Sequence, residues 1–85
     1  MPYRVEWVRP ASRAFERLPS VVRARIERAI DALTTNPRPS GSRSVVSGAG
    51  DLRIRVGDYR VLYEVDDASR TVLILKIAHR SEAYR

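Results

Sequence analysis

Residues 52–65 read LRIRVGDYRVLYEV and carry the clearest structural pattern in the chain. Apolar and polar side chains alternate on both sides of Gly57 and Asp58, which is the pattern of two half-buried strands joined by a two-residue turn. We therefore predict an antiparallel hairpin in which Val56 lies opposite Tyr59 and the pairing continues outward from the turn. One face of this hairpin is then apolar and contains Leu52, Ile54, Val56, Tyr59, Val61, Tyr63 and Val65.

The opposite face of the hairpin carries arginines. Arg53, Arg55 and Arg60 project from it, and the predicted register places Arg55 directly opposite Arg60. A like-charge cross-strand pair costs stability unless an anion or a carboxylate lies between the two cations. Two interpretations remain open at this point. Either the face binds phosphate groups, or its arginines are solvated or neutralised by Glu64 and Glu82.

The rest of the chain predicts an α+β fold. Alternation over residues 3–9 indicates a first strand, and helical spacing of apolar residues indicates helices over 10–18 and 20–33. A loop rich in Gly and Pro follows, with a short strand possible at 43–47, and the last strand runs from about 71 to 79. We expect two N-terminal helices packed on one face of a small antiparallel sheet, in the order β-α-α-β-β-β(β), with the other face left for solvent or a ligand.

Length and composition limit the class of protein. With 85 residues, we expect a single domain spanning 1–85. The chain has no cysteine, so neither disulfides nor thiolate zinc sites can form, which favours a reducing, cytoplasmic setting. The first residues are charged where a signal peptide would be apolar, and no segment approaches the roughly 20 apolar residues of a membrane span. We therefore expect no membrane partner.

The net charge of the chain is strongly positive. A formal charge of +6 comes from fifteen Arg and one Lys against ten acidic residues. Summed positive charge concentrates polyanions around a protein, which favours a nucleic-acid partner. A GC-rich genome would also enrich arginine codons whatever the function, so the charge alone leaves this alternative open.

The C-terminal residues 79–85 read HRSEAYR and include the single histidine of the chain. The last strand should lie beside the arginine hairpin, which would bring His79, Arg80 and Tyr84 close to the hairpin arginines. Arginine binds phosphate oxygens bidentately, and His and Tyr are able to transfer protons. RNA supplies its own nucleophile, the 2′-hydroxyl. Taken alone, however, a single His at a strand end is more often structural than catalytic.

Chemistry that requires a metal or a cofactor finds little support in the sequence. The adjacent acids Asp66 and Asp67 fall in a predicted hairpin turn, where solvated carboxylates are ordinary. The glycines of 48–50 lack the strand, helix and lysine context of a phosphate-binding loop. We therefore predict neither a metal site nor a small-molecule cofactor.

These motifs resemble a known family. The stretch 52–65, followed by ILKIAHR at 74–80 and by Tyr84 and Arg85, is similar to the RelE branch of the RelE/ParE toxin superfamily. The likeness extends over essentially the whole chain. It implies helices packed on one face of an antiparallel sheet, metal-independent cleavage of mRNA in the A site of the 70S ribosome, and neutralisation by a cognate antitoxin encoded nearby.

The resemblance also implies roles for individual residues. Arg53 and Arg55 correspond to basic residues that contact RNA, and Arg60 and Arg80 to arginines that stabilise the phosphate. Tyr84 corresponds to a C-terminal tyrosine that takes part in the reaction. Some relatives carry lysines where this chain has its first two hairpin arginines, and arginine is much harder to deprotonate.

The loss of those lysines leaves proton transfer to His79 or Tyr84. Two other functions remain open: a ParE-like inhibitor of DNA gyrase, and a degenerate homologue that binds an antitoxin without catalysis. A gyrase inhibitor acts by binding and has no need of a phosphate-binding constellation. The hairpin arginines beside the C-terminal motif therefore favour the ribonuclease.

Overall fold

The structure is a computed structural model that describes residues 2–44 and 51–83. Its elements, in chain order, are β1 (Arg4–Trp7), α1 (Arg9–Glu16), α2 (Ser20–Leu33), β2 (Arg43–Ser44), β3 (Asp51–Val56), β4 (Tyr59–Asp66), β5 (Thr71–His79) and α3 (Arg80–Ala83). This order confirms the predicted α+β class. Within the described residues, no helix is long and apolar enough to cross a membrane.

The central hairpin has the predicted register. Val56 pairs with Tyr59 and Arg55 with Arg60, and the same register continues outward along β3 and β4. Gly57 occupies the first turn position with a φ of +59°, in the left-handed region that favours glycine. The turn residues and the alternation therefore specify the same register.

The five strands found in residues 2–44 and 51–83 form one sheet in the order β1-β5-β4-β3-β2. Strands β2 to β5 pair antiparallel as predicted, but β1 pairs parallel to β5, with Val5 opposite Val72. Parallel neighbours need a long connection, which the helices and the following strands provide here. Alternation within β1 indicates a strand but carries no information about its partner or direction. The expectation of a wholly antiparallel sheet was therefore wrong at this one edge.

A bulge interrupts the pairing of β4 with β5. The register shifts between Leu62 and Tyr63, because Leu62 pairs with Lys76 while Tyr63 pairs with Ile74. Leu75 is the extra residue on β5. After a single-residue bulge, each later side chain points to the face opposite the one it would occupy in a regular strand.

The helices cover the apolar face of the sheet. The buried core is formed by Ala11, Ile26, Ile30, Leu33, Ile54, Val61, Tyr63, Val72, Ile74 and Ile77. Beside this core, the rings of Trp7 and Phe15 lie 5.1 Å apart. The alternation predicted the hairpin residues of this core, Ile54, Val61 and Tyr63. The opposite face of the sheet, here called the outer face, carries the charged residues of β3 and β4.

Tyr63 joins this core to the loop that follows α2. Its side chain is fully buried, and its hydroxyl donates a hydrogen bond of 2.7 Å to the carbonyl oxygen of Pro37. Burial raises the pKa of this phenol above its ordinary value of 10.0. The neutral hydroxyl is therefore the form that suits this position.

We expect Tyr63→Phe to lower the free energy of unfolding by about 1–3 kcal/mol, because it leaves a buried carbonyl without its donor. Urea denaturation followed by circular dichroism measures this loss. Tyr3→Phe is the matched control, since the Tyr3 hydroxyl makes an exposed hydrogen bond to Asp67. An equal loss in both variants would contradict the importance of the buried bond.

An exposed cluster ties the loop after α2 to the β4–β5 turn. Arg38 donates two hydrogen bonds to the Asp67 carboxylate, of 3.2 and 3.0 Å, and the Tyr3 hydroxyl donates a third of 2.5 Å. These donors, with Arg38 first, hold the pKa of Asp67 below its ordinary value of 3.8. The depressed pKa means that the ionised carboxylate favours the folded state.

We expect Asp67→Asn to be less stable than the wild type at pH 7, by a small margin because the cluster is exposed. A carboxylate with a depressed folded-state pKa contributes stability above its unfolded pKa, and that contribution is lost as the pH falls through the folded value. The difference between the two proteins should therefore shrink as the pH drops below about 3.8. Thermal melts of both proteins at pH 7 and in acid measure this stability difference. A difference that does not change with pH would contradict the role of the ionised Asp67 carboxylate.

Candidate nucleic-acid interface

A groove of about 370 Å³ opens where the β3–β4 turn meets the start of α3. The described residues that line it are Arg55, Gly57, Asp58, Arg60, Arg80 and Ser81. Arginines from three separate elements, β3, β4 and α3, thus line one groove. Asp58 supplies the single carboxylate among these lining residues, so the groove is net positive.

The hairpin register brings the first two arginines together. Arg55 and Arg60 are cross-strand partners, and directly opposite residues have Cβ atoms about 4.5–5.5 Å apart. Arg55 is exposed, whereas Arg60 is only 4 % exposed and lies between Arg55 and the small side chain of Ala78. Arg53, two residues before Arg55, lies on the same face but outside the groove, and extends the basic surface toward Arg43 of β2.

Arg80 reaches the groove because α3 is attached to the hairpin turn. The backbone N–H of Arg80 donates a 2.7 Å hydrogen bond to the carbonyl oxygen of Asp58. This bond fixes the first residue of α3 beside the turn and places Ser81 at the rim of the groove. Sequence reasoning missed α3 and Ser81, because a helix of four residues has no periodicity to detect.

His79 lies on the other face of the sheet. It pairs with Tyr59, and the two rings meet edge to face with centroids 5.2 Å apart. Directly opposite residues share a face, and Tyr59 and Arg60 are consecutive, so His79 does not share the outer face with Arg60. The register therefore places the His79 side chain on the face opposite Arg60, one residue before Arg80 of the groove. The bulge at Leu75 is the reason, because a regular β5 would have placed His79 on the outer face.

The remaining predicted site residue, Tyr84, lies outside the described residues. The structure therefore brings together Arg55, Arg60 and Arg80, with Arg53 adjacent on the same face. His79 is connected to the groove through Ser81, which its ring contacts.

The outer face is divided by charge. Away from the groove, Asp51 lies opposite Glu64, and a smaller cavity of about 200 Å³ is lined mainly by polar residues that include Glu6, Glu64 and Asp66. Glu64 is four residues from Arg60 along β4, roughly 13 Å at the rise of a strand. Glu64 therefore lines the smaller cavity and not the groove. A polyanion on this face would be attracted to the groove and repelled from the acidic end.

The acids of the β4–β5 turn have structural contacts. Asp66 accepts hydrogen bonds from the backbone N–H groups of Ala68 and Ser69, at 3.0 and 3.3 Å, and Asp67 belongs to the Arg38 cluster. Across residues 2–44 and 51–83, no group of three or more His, Cys, Asp or Glu side chains is arranged to hold a metal ion. Asp67 lies in the predicted turn, and Asp66, the last residue of β4, accepts the backbone hydrogen bonds of that turn.

The protein is thus a small basic α+β domain with three arginines in one groove on the face of its sheet that the helices leave uncovered. The family is shown by the sequence itself, since the model of the ParE toxin of the type II toxin–antitoxin system parDE matches residues 5–84. The chain belongs to the RelE/ParE superfamily of type II toxin–antitoxin toxins.

Individual relatives agree with this family. The chain is 37% identical over 86 residues to Toxin RelG of Mycobacterium tuberculosis, covering 100% of this chain and 99% of RelG. It is 38% identical to Toxin RelE of the same organism, covering 99% and 88% of the two chains. A solved archaeal RelE–RelB complex from Pyrococcus horikoshii OT3 is similar with a TM-score of 0.82 and 31% identity, covering 94% of this chain and 97% of that chain. The resemblance to RelE toxins is confirmed.

Proposed function

We propose that this toxin is a ribosome-dependent endoribonuclease that cuts mRNA in the A site of the 70S ribosome and so inhibits translation. The observation that carries the proposal is that Arg55, Arg60 and Arg80 line one groove on the free face of the sheet. Similarity to toxins named RelE and RelG supports the same function. The toxin would act as one domain in the cytoplasm, where translating ribosomes are found.

The chemistry of RNA cleavage matches the charges of the groove. The 2′-oxygen of the substrate attacks the neighbouring phosphorus and loses its proton, so the P–O2′ bond of a 2′,3′-cyclic phosphate forms as the P–O5′ bond breaks. Negative charge builds on the phosphoryl oxygens, and the 5′-oxygen gains a proton and leaves as a hydroxyl. Arg60 and Arg80 would bind the phosphoryl oxygens through paired N–H donors and stabilise this charge most strongly in the transition state. Arg55 and Arg53 would hold the adjoining phosphates and orient the strand. No metal or cofactor is needed in this scheme.

Two protons move in this scheme: Tyr84 would donate the one that the departing 5′-oxygen gains, and water would accept the one that the 2′-hydroxyl loses. The arginines remain protonated at physiological pH and so cannot act as a general base. A tyrosine hydroxyl is among the groups able to transfer protons at a reacting phosphate. The ribosome would complete the site by presenting the A-site nucleotides in a fixed conformation.

The partner that controls the toxin would be a cognate antitoxin encoded nearby. The solved Pyrococcus horikoshii protein is a RelE–RelB complex, which supports a partner of this kind. The net positive groove favours an acidic antitoxin segment that covers the arginines or displaces the C-terminal residues. An antitoxin complex that leaves both untouched would contradict this arrangement.

Primer extension on mRNA from a translation extract tests the proposed activity. Purified toxin should produce new 5′ ends only while ribosomes translate, and an inhibitor of initiation should abolish them. Arg60→Ala and Tyr84→Phe should weaken the cuts, with circular dichroism confirming that both variants fold. Intact mRNA in the presence of folded wild-type toxin would rule out the ribonuclease.

A second function has one observation in its favour, because the matching family model is that of the ParE toxin of parDE. On this alternative the toxin inhibits DNA gyrase by binding it, and the arginine groove has no catalytic role. Supercoiling of relaxed plasmid by purified gyrase distinguishes the two. We expect full supercoiling activity at toxin concentrations that cut mRNA, and inhibition of gyrase without mRNA cleavage would favour the alternative.

A further inference from the structure

We propose that His79 is a positioning residue that caps α3 and holds Arg80 and Ser81 in the groove, and that it does not transfer protons. This inference rests on the proposed ribonuclease function. His79 is the last residue of β5, at the junction where α3 begins beside the groove.

The hydrogen bonds of His79 fix the role of one ring nitrogen. The backbone N–H of Ser81 points at Nδ1 of His79 at 3.2 Å, and the Ser81 hydroxyl oxygen lies 3.0 Å from the same nitrogen. A backbone N–H can only donate, so Nδ1 must be the acceptor. The ring is therefore neutral in this arrangement, with its proton on Nε2.

This arrangement removes His79 from proton transfer. The lone pair of Nδ1 is engaged by Ser81, and Nε2 carries the proton, so neither nitrogen is available as a base. A neutral imidazole is also a poor acid. In addition, the ring packs against Tyr59 on the helix-covered side of the sheet, away from Arg60.

The cap has a clear structural purpose. Four residues are too few for a helix to be stable by itself, and the N–H groups of its first turn need acceptors from outside the helix. Here the carbonyl of Asp58 accepts from Arg80, and Nδ1 of His79 accepts from Ser81. These two bonds fix the consecutive residues of α3 that line the groove. The edge-to-face contact with Tyr59 sets the ring orientation that aims Nδ1 at α3.

Two variants separate capping from proton transfer. In His79→Asn, the side-chain oxygen lies as many bonds from Cβ as Nδ1 does in histidine. It can therefore accept the same hydrogen bond, and Asn is a preferred residue at helix N-caps. In His79→Phe, the ring packing on Tyr59 is retained but the acceptor is lost. We expect His79→Asn to cut mRNA within about threefold of wild type, and His79→Phe to lose roughly tenfold, the usual scale for a lost cap.

A second readout is independent of catalysis. Hydrogen exchange of the Ser81 amide, followed by NMR on the free toxin, should be slow in wild type and in His79→Asn, and faster in His79→Phe. If the toxin cuts no mRNA, the proposed ribonuclease function fails. Exchange of the Ser81 amide would still show whether His79 caps α3.

Two results would overturn the proposal. One is a His79→Asn variant with a protected Ser81 amide and cleavage reduced by the roughly 10²- to 10⁴-fold that a lost general acid or base produces. The other is a His79→Phe variant whose Ser81 amide exchanges as slowly as in wild type.

Discussion

Arg60→Ala is expected to reduce cleavage of ribosome-bound mRNA by roughly 10²- to 10³-fold, the scale seen when one preorganised donor to a transition-state oxyanion is removed. Arg60 projects from β4 into the groove and is only 4 % exposed, so its guanidinium is held in a position partly shielded from water. Charge stabilisation is strongest where water is excluded. The rate of cleavage at a single codon, followed over time on programmed ribosomes, measures the effect.

The controls for Arg60→Ala address charge and folding separately. Arg60→Lys keeps the positive charge but loses the paired N–H donors, so it should recover only part of the activity. Arg28→Ala removes an exposed arginine from α2, which is not part of the groove, and should cut normally. Thermal melts show whether each variant folds. A folded Arg60→Ala toxin that cuts within a fewfold of wild type would contradict the assignment of Arg60.

Arg55→Glu is expected to change stability and activity in opposite directions. The substitution replaces the like-charge pair of Arg55 and Arg60 with an opposite-charge pair, and cross-strand pairs of this kind contribute roughly 0.2–1 kcal/mol. The variant should therefore unfold at higher urea concentration than the wild type. It also introduces a carboxylate into the groove, where it would repel the phosphate and compete for the Arg60 guanidinium, so we expect a loss of cleavage of at least about 10²-fold.

Arg55→Gln separates the two effects of that charge reversal. It removes the repulsion without adding a carboxylate, so its stability should lie between the other two proteins and its activity should fall less. The salt dependence of binding to a short single-stranded RNA should also weaken, by about 0.7 in the slope of log K against log salt for one lost phosphate contact. If Arg55→Glu is less stable than wild type and cuts normally, the arginines are a solvated surface and the groove has been misassigned.

Much of the fold follows from local sequence, because the signals are short-range. A two-residue turn with Gly57 at a left-handed position, flanked by alternating residues, leaves one sensible register, and that register alone places Arg55 opposite Arg60. The buried face of the hairpin follows from the same alternation. The strand that pairs with β1 could not be predicted from local sequence, because parallel pairing with β5 depends on the path of the whole chain.

The position of His79 shows where sequence reasoning fails. One additional residue on β5, Leu75, reverses the facing of every later side chain on that strand. The apolar run that contains Leu75 gives no sign of the bulge, because apolar residues occupy both faces of this central strand. The same limit applies to Ser81, whose place in the groove depends on the tertiary hydrogen bond from the Arg80 N–H to the Asp58 carbonyl and on its own local bond to His79.

Cleavage of a defined mRNA on purified 70S ribosomes shows whether the toxin is a ribosome-dependent ribonuclease. The ribosomes would hold a start codon in the P site and an A-site codon made either of ribonucleotides or with a 2′-deoxy sugar at the cut position. We expect the toxin to cut the all-ribose mRNA on the ribosome, to leave the same RNA intact when free, and to leave the 2′-deoxy mRNA uncut because the nucleophile is missing. Equal cutting of the ribose and deoxy messages, or no cutting of either by folded toxin, would contradict the proposed mechanism.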